Sequence, residues 1–234
     1  MTTPYRLHYA PDNASLIIRL ALEELGVAHE TVLVDRPGRG QKSPEYLALN
    51  PAGLIPVLET PDGPIFETGA ILLWLADRHG ALAPRPDHPG RAAALKWLFF
   101  ISNTLHPALR MTFYPGAYTG GDPGAHGGLR AHMQAEIAGH LDKLDIAAGD
   151  HPDLFDGAKP TVIGLYLGPL LRWMALYPRG ETAWFDLEGW PRLAALARAL
   201  ERRASAQAAM TAEGLGPAPF TAPRPADPPE GSAT

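Results

Sequence analysis

The sequence predicts an α/β domain followed by an all-α domain, and three observations carry that prediction. Up to about residue 80, short alternating or β-branched runs take turns with apolar stripes at helical period. Beyond residue 90 the strand signals stop and only helical periodicity remains. Between the two lies a stretch holding Pro84, Pro86 and Pro89 with no period at all, which reads as a linker over residues 81–90.

Tyr5-Arg6-Leu7-His8-Tyr9 alternates and is short, as suits a first strand. After Pro11-Asp12-Asn13, the stripe Leu16, Leu20 and Leu25, widened by Ile17 and Ala21, predicts a helix ending at Gly26. Thr31-Val32-Leu33-Val34 is the second strand, residues 36–43 a polar loop and residues 44–49 a short helix. Strands around Pro56 and Ile65 pair through a turn at Pro61-Asp62-Gly63. Residues 68–79 form a helix with Ile71, Leu72 and Leu75 inward. Strand, helix, strand, short helix, two hairpinned strands and helix is the thioredoxin-like arrangement, assigned to residues 1–80.

Residues 91–110 place Leu95, Leu98, Ser102, Leu105 and Leu109 on one face of a long helix. Trp97, Phe99 and Phe100 widen its apolar surface enough to bury part of it against another subunit or the first domain. Leu129, Met133, Ile137, Leu141 and Leu144 step along the next helix. Residues 161–176 are apolar nearly all round, as a buried central helix is, and Pro169 should kink it. Trp190-Pro191 opens a last helix with Leu193, Leu196 and Leu200 inward. The helical bundle is assigned to residues 91–210. From about residue 211 prolines recur without periodic apolar residues, so residues 211–234 read as a flexible tail, ordered only where Phe220 docks.

Composition excludes several classes. A formal net charge of −5 gives no basic surface for nucleic acid or an anionic membrane. No apolar run approaches a membrane span and the N-terminus has no signal core, so a cytoplasmic address is expected. The chain has no cysteine, which removes disulfides, thiolate metal sites and a cysteine nucleophile. His126, His132 and His140 are scattered without an acidic cluster, so no metal is expected.

One pair of motifs carries more. Gly53-Leu54-Ile55-Pro56-Val57-Leu58 reads as a loop closing through proline into a strand. Ile65-Phe66-Glu67-Thr68-Gly69-Ala70-Ile71 runs a strand into a helix start, whose free N–H groups and positive dipole end suit a carboxylate. Together they suit a small, extended, peptide-like anion. In this order and spacing, and with the Trp190-Pro191-Arg192-Leu193 helix in support, they resemble the glutathione site of cytosolic glutathione transferases. The resemblance covers residues 5–210.

It implies a homodimeric glutathione transferase in which glutathione is the co-substrate. Its thiol would be conjugated to a hydrophobic electrophile or used to reduce a peroxide or disulfide. Glu67 would take the γ-glutamyl amine and Thr68 its carboxylate. The Ile55 backbone, held by Pro56, would pair with the cysteinyl unit. Gln41 or Lys42 would reach the glycyl carboxylate. Alone, Thr68 and Glu67 would read as a helix cap and a dipole-compensating acid. The cysteine that some bacterial branches carry is replaced by Ala14, and Ser15 and Asn13 are the candidate thiol activators. Tyr9 is a further donor, and Asp12 reads as an N-cap because an anion would raise a thiol pKa. That all of these only cap the helix stays open. His106, Arg110 and Tyr114 are candidates from the second domain, with ordinary packing the plainer account of Phe113 and Tyr114. A non-catalytic binding or protein-interaction module on the same fold is the alternative.

Overall fold

The apolar alternation of the first 66 residues closes into one mixed four-stranded sheet, β1 (Tyr5–Tyr9), β2 (His29–Leu33), β3 (Val57–Thr60) and β4 (Gly63–Phe66). The structure, a computed structural model, describes residues 5–233; residues 1–4 and 234, included in the first-domain and tail assignments, lie outside it. Strand order is β2-β1-β3-β4, with β1 parallel to β2 and antiparallel to β3. The second strand starts two residues earlier than its β-branched run suggests, and Val34 N–H still reaches the Tyr9 carbonyl at 2.8 Å. This is the thioredoxin-like sheet.

Helices α1 (Ser15–Leu25), α2 (Pro44–Leu49) and α3 (Thr68–His79) complete the first unit. Ser43 caps α2 by accepting the Tyr46 N–H at 3.2 Å. The rest of the chain is helical: α4 (Arg91–Phe100), α5 (His106–Phe113), α6 (His126–Asp150), α7 (Val162–Leu176), α8 (Pro191–Glu201) and α9 (Ala204–Glu213). Helix α7 runs through Pro169, and Thr161 caps it by accepting the Ile163 N–H at 3.2 Å.

There are three departures from the sequence reading, and the first is that helix α1 is packed on all sides. Residues 15–22 are buried without a break, including Ile18, Arg19 and Leu22 on what the stripe marked as the open face. Helix α9, which the apolar pattern did not reveal because alanines dominate it, covers that face. There Arg19 Nε bonds Glu213 at 2.7 Å, an ion pair with both side chains buried.

The second departure is the tail. Residues 211–233 pack far more than Phe220 alone would require. Leu215 and Phe220 are both buried, and Glu201 accepts the N–H groups of Phe220 and Thr221, each at 2.7 Å. Asp227 N–H bonds Gly214 O at 2.9 Å, an approach that only glycine allows, since a β-carbon there would collide with the Asp227 carbonyl. The segment ends with Glu230 accepting the Tyr9 hydroxyl. It is held through backbone groups and single carboxylates, which leave no side-chain period to read.

The third departure is Asp12, which is not a cap: α1 has no side-chain cap, and its N-cap position is Ala14. Asp12 stands at φ 52° and is buried. Its carboxylate accepts Arg172 Nε at 2.8 Å and Nη2 at 3.0 Å, Trp173 Nε1 at 2.8 Å and the Tyr177 hydroxyl at 3.1 Å. Arg172, fully buried, also donates to the carbonyls of Leu215, Pro219 and Arg224. One guanidinium thus joins the start of α1, the middle of α7 and the C-terminal segment. Arg172→Ala is expected to lower unfolding free energy by about 3–5 kcal/mol, because it strands a buried carboxylate. Urea denaturation measures it, and a loss under about 1 kcal/mol would mean the other donors suffice.

Candidate functional site

A cavity of about 700 Å³ opens between the first unit and the helical bundle. Its lining brings together Asn13, Gln41, Lys42, Ile55, Pro56, Glu67 and Thr68 from the first unit with His106, Arg110 and Tyr114 from the second. Of the residues named from sequence, Ser15 and Tyr9 do not line it, the Tyr9 hydroxyl being given to Glu230. Ser15 is fully buried, its hydroxyl donating to Ala10 O at 3.1 Å and accepting Ala10 N–H at 3.3 Å, so it closes the turn before α1.

The floor is made by three chain starts. The Ile55-Pro56 bond is cis, and among the described residues the Ile55 N–H and C=O make no hydrogen bond. The preceding Leu54 carbonyl is pinned by the Tyr46 hydroxyl at 2.9 Å and Asn50 Nδ2 at 2.8 Å. That leaves Ile55 as an open backbone edge. Across from it, Glu67 sits at φ 71°, a region that residues with a β-carbon occupy sparingly. It is the N-cap residue of α3, and Thr68 is its first helical residue, not the cap. The first α3 N–H with a carbonyl partner belongs to Ile71, which leaves those of Thr68, Gly69 and Ala70 without one. At the α1 start, Asn13 Oδ1 accepts the Ala14 N–H at 2.8 Å, and its Nδ2 makes no hydrogen bond among the described residues.

Lys42 lies on the loop side, its Nζ donating to Ala52 O at 3.0 Å. Gly53, at φ 59°, permits this approach: a β-carbon there would come 2.6 Å from Lys42 Nζ and 2.8 Å from the Gln41 carbonyl. Gln41 Oε1 is buried with no partner.

The helical wall depends on a π turn. Residues 91–110, read as one regular helix, are broken at Ile101–Leu105 by a π turn that brings the His106 N–H to the Ile101 carbonyl. Pro107, lacking an N–H, follows directly. The register shift buries Ile101 where the stripe marked Ser102, and turns Ser102 and His106 into the cavity. His106 Nδ1 lies 3.0 Å from the Tyr166 hydroxyl, and its ring packs edge-on to Tyr166 and tilted against Trp173. Burial, with help from the Arg110 charge, lowers its pKa to about 4, so the imidazole is neutral near pH 7. Burial raises the Tyr166 pKa, and the neighbouring Thr68 opposes that rise.

The sequence reading missed several lining residues. Tyr166 and Trp173 stand two turns apart on one face of α7, where apolar residues all round conceal any particular face. Tyr118 and Arg36 come from loops with no period. Among the described residues no group of His, Asp and Glu could hold a metal, and no helix is long and apolar enough to cross a membrane.

The family model described as "Glutathione S-transferase, N-terminal domain" matches residues 14–78. Glutathione S-transferase F9 of Arabidopsis thaliana is 30% identical over 78% of this chain and 89% of its own. Glutathione S-transferase GST-4.5 of Xanthomonas campestris pv. campestris is 29% identical over 90% of this chain and 99% of its own. Among solved structures, a sphingomonad glutathione S-transferase complexed with glutathione matches with a TM-score of 0.71 at 29% identity, covering 90% of this chain and 100% of that one.

Because its pKa is about 4 when folded and about 6.5 when unfolded, His106 takes up its proton in the unfolded chain first as pH falls. Its contribution to stability is therefore complete above about pH 6.5 and is lost as pH falls towards about 4. Urea midpoints across that window should be flatter for His106→Phe. Nitrogen-15 NMR should show one neutral ring tautomer down to about pH 5.5, and a ring titrating near 6.5 would contradict the burial argument.

Proposed function

This chain belongs to the glutathione S-transferase family, and we propose which of its residues carry out glutathione transfer. The observation that supports the assignment most is that the open Ile55 edge, the Glu67-Thr68 helix mouth and the α1 start share one cavity. Glu67 takes the γ-glutamyl amine, while the Thr68 hydroxyl and the free α3 N–H groups take its carboxylate. The Ile55 backbone pairs with the cysteinyl unit. Lys42 and Gln41, whose buried Oε1 awaits a donor such as the glycyl N–H, hold the other end.

The sulfur then lies towards α1. A thiol of pKa about 8.5 needs a shift of roughly one to two units to be largely thiolate at neutral pH. The α1 dipole and the free Asn13 amide supply that stabilisation. Ser15 is set aside as activator, because its hydroxyl is consumed by the Ala10 turn. Asp12 does not oppose the thiolate, since Arg172 already neutralises it. The second substrate lies against Phe113, Tyr114 and His106. Positioning and thiolate stabilisation carry the rate, without a covalent protein nucleophile. The names of the relatives favour a transferase over a non-catalytic module. A homodimer with one cavity per subunit fits the exposure of Leu54 and Phe99, at 43% and 50%.

With 1-chloro-2,4-dinitrobenzene as electrophile, Asn13→Ala should lower kcat/KM about tenfold to hundredfold, matching one to two units of lost thiol shift. Ser15→Ala should lower the denaturation midpoint and leave kcat/KM within about twofold. Equal activity of wild type and Asn13→Ala would end the activator assignment, and loss of turnover only in Ser15→Ala would reinstate the serine.

A further inference from the structure

The cavity carries more positive charge than glutathione uses. Arg36, Lys42 and Arg110 line it, against the carboxylates of Glu67 and Asp12. Asp12 is neutralised by the buried Arg172. With Lys42 on the glycyl carboxylate and Glu67 on the amine, two guanidinium groups remain, both towards the helical wall.

Neither is paired. Among the described residues Arg36 and Arg110 make no ion pair, and each is anchored by a phenol instead. Arg110 Nη1 donates to the Tyr118 hydroxyl at 2.6 Å, with its guanidinium 5.7 Å from that ring's centroid. Arg36 Nη2 donates to the Tyr114 hydroxyl at 3.3 Å. A guanidinium has five donors in a flat fork, so one bond to a phenol orients it and leaves the edge that matches a carboxylate free. The surrounding Phe113 and the two tyrosine rings supply flat apolar area beside those edges.

We propose that the acceptor subsite is built for an anionic aromatic electrophile, whose carboxylate is held by Arg110 and Arg36 while its ring lies on Phe113, Tyr114 and Tyr118. The inference rests on the glutathione reading above and names the class of second substrate for the same site. For 4-chloro-3-nitrobenzoate the thiol releases its proton to solvent and the thiolate pair forms the carbon–sulfur bond. Chloride then leaves with the carbon–chlorine pair. A neutral apolar acceptor would leave the two guanidinium groups of the lining without a counter-charge, so it is the poorer fit.

The test is equilibrium binding, by calorimetry, of two preformed conjugates: S-(4-carboxy-2-nitrophenyl)glutathione and its methyl ester. Wild type should bind the acid about tenfold or more tightly than the ester, the scale of a charge-assisted pair. The acid-to-ester ratio should shrink in Arg110→Gln, approach one in the Arg36→Gln, Arg110→Gln double variant, and return in Arg110→Lys. Equal affinities in wild type, or a preference that survives in the double variant, overturns the proposal; the wild-type ratio decides alone if a variant does not fold. Titrating glutathione itself separates the two readings. Glutathione that binds beside equal conjugate affinities removes only the anionic subsite, whereas glutathione that does not bind removes the glutathione assignment and this one with it.

Discussion

The buried pair of Asp12 and Arg172 is the constraint on which the remainder of the structure depends. Two charges taken out of water are tolerated only when their lone pairs and protons are used. Here they are: the carboxylate takes two guanidinium bonds, an indole N–H and a phenol, and the guanidinium takes three backbone carbonyls besides. The pair fixes the loop before α1 against α7, and so sets the distance between the two halves of the cavity. It also explains how an acid can stand one residue from Asn13 without opposing an anionic sulfur. Its charge is spent before a ligand arrives.

From that junction the site inherits its shape. The loop through Asp12 presents Asn13 and the α1 start, while Trp173, held by the same carboxylate, packs on His106. His106 is delivered by a π turn that Pro107 adjoins, and Tyr166 and Thr68 complete the chain of polar contacts back to the first unit. Each half of the cavity is therefore held by groups that contact the other half. A wall positioned in this way can keep the neutral His106 imidazole and the Arg110 guanidinium in register with a helix mouth some forty residues earlier in the chain.

Much of this was open to reading from residue order. Ile55-Pro56 and Glu67-Thr68 announced themselves because backbone-directed recognition needs a proline-bounded edge and an acid and hydroxyl at a helix start, and such needs act over a few residues. His106 was a candidate only through the family resemblance, with Arg110 one helical turn on and Tyr114 offered for the electrophile pocket. Ser15 misled for a matching reason: a hydroxyl at a helix start looks the same whether it faces a cavity or the preceding turn. Asp12 misled likewise, since the preference for acids at helix starts carries no information about a partner 160 residues away.

What the sequence determined unaided was the division into an α/β unit and a helical one, the strand order of elements along the chain, and the two motifs that floor the cavity. All of these follow from local propensity and short-period burial, which residue spacing records directly. Only the tertiary structure decided that Ser15 turns inward, that α9 covers Arg19, that the proline-rich segment wraps back to Tyr9, and that Arg36 meets Tyr114. Those contacts join residues far apart through single polar groups and backbone carbonyls. No periodicity encodes such a meeting, because it exists only once the helices have packed.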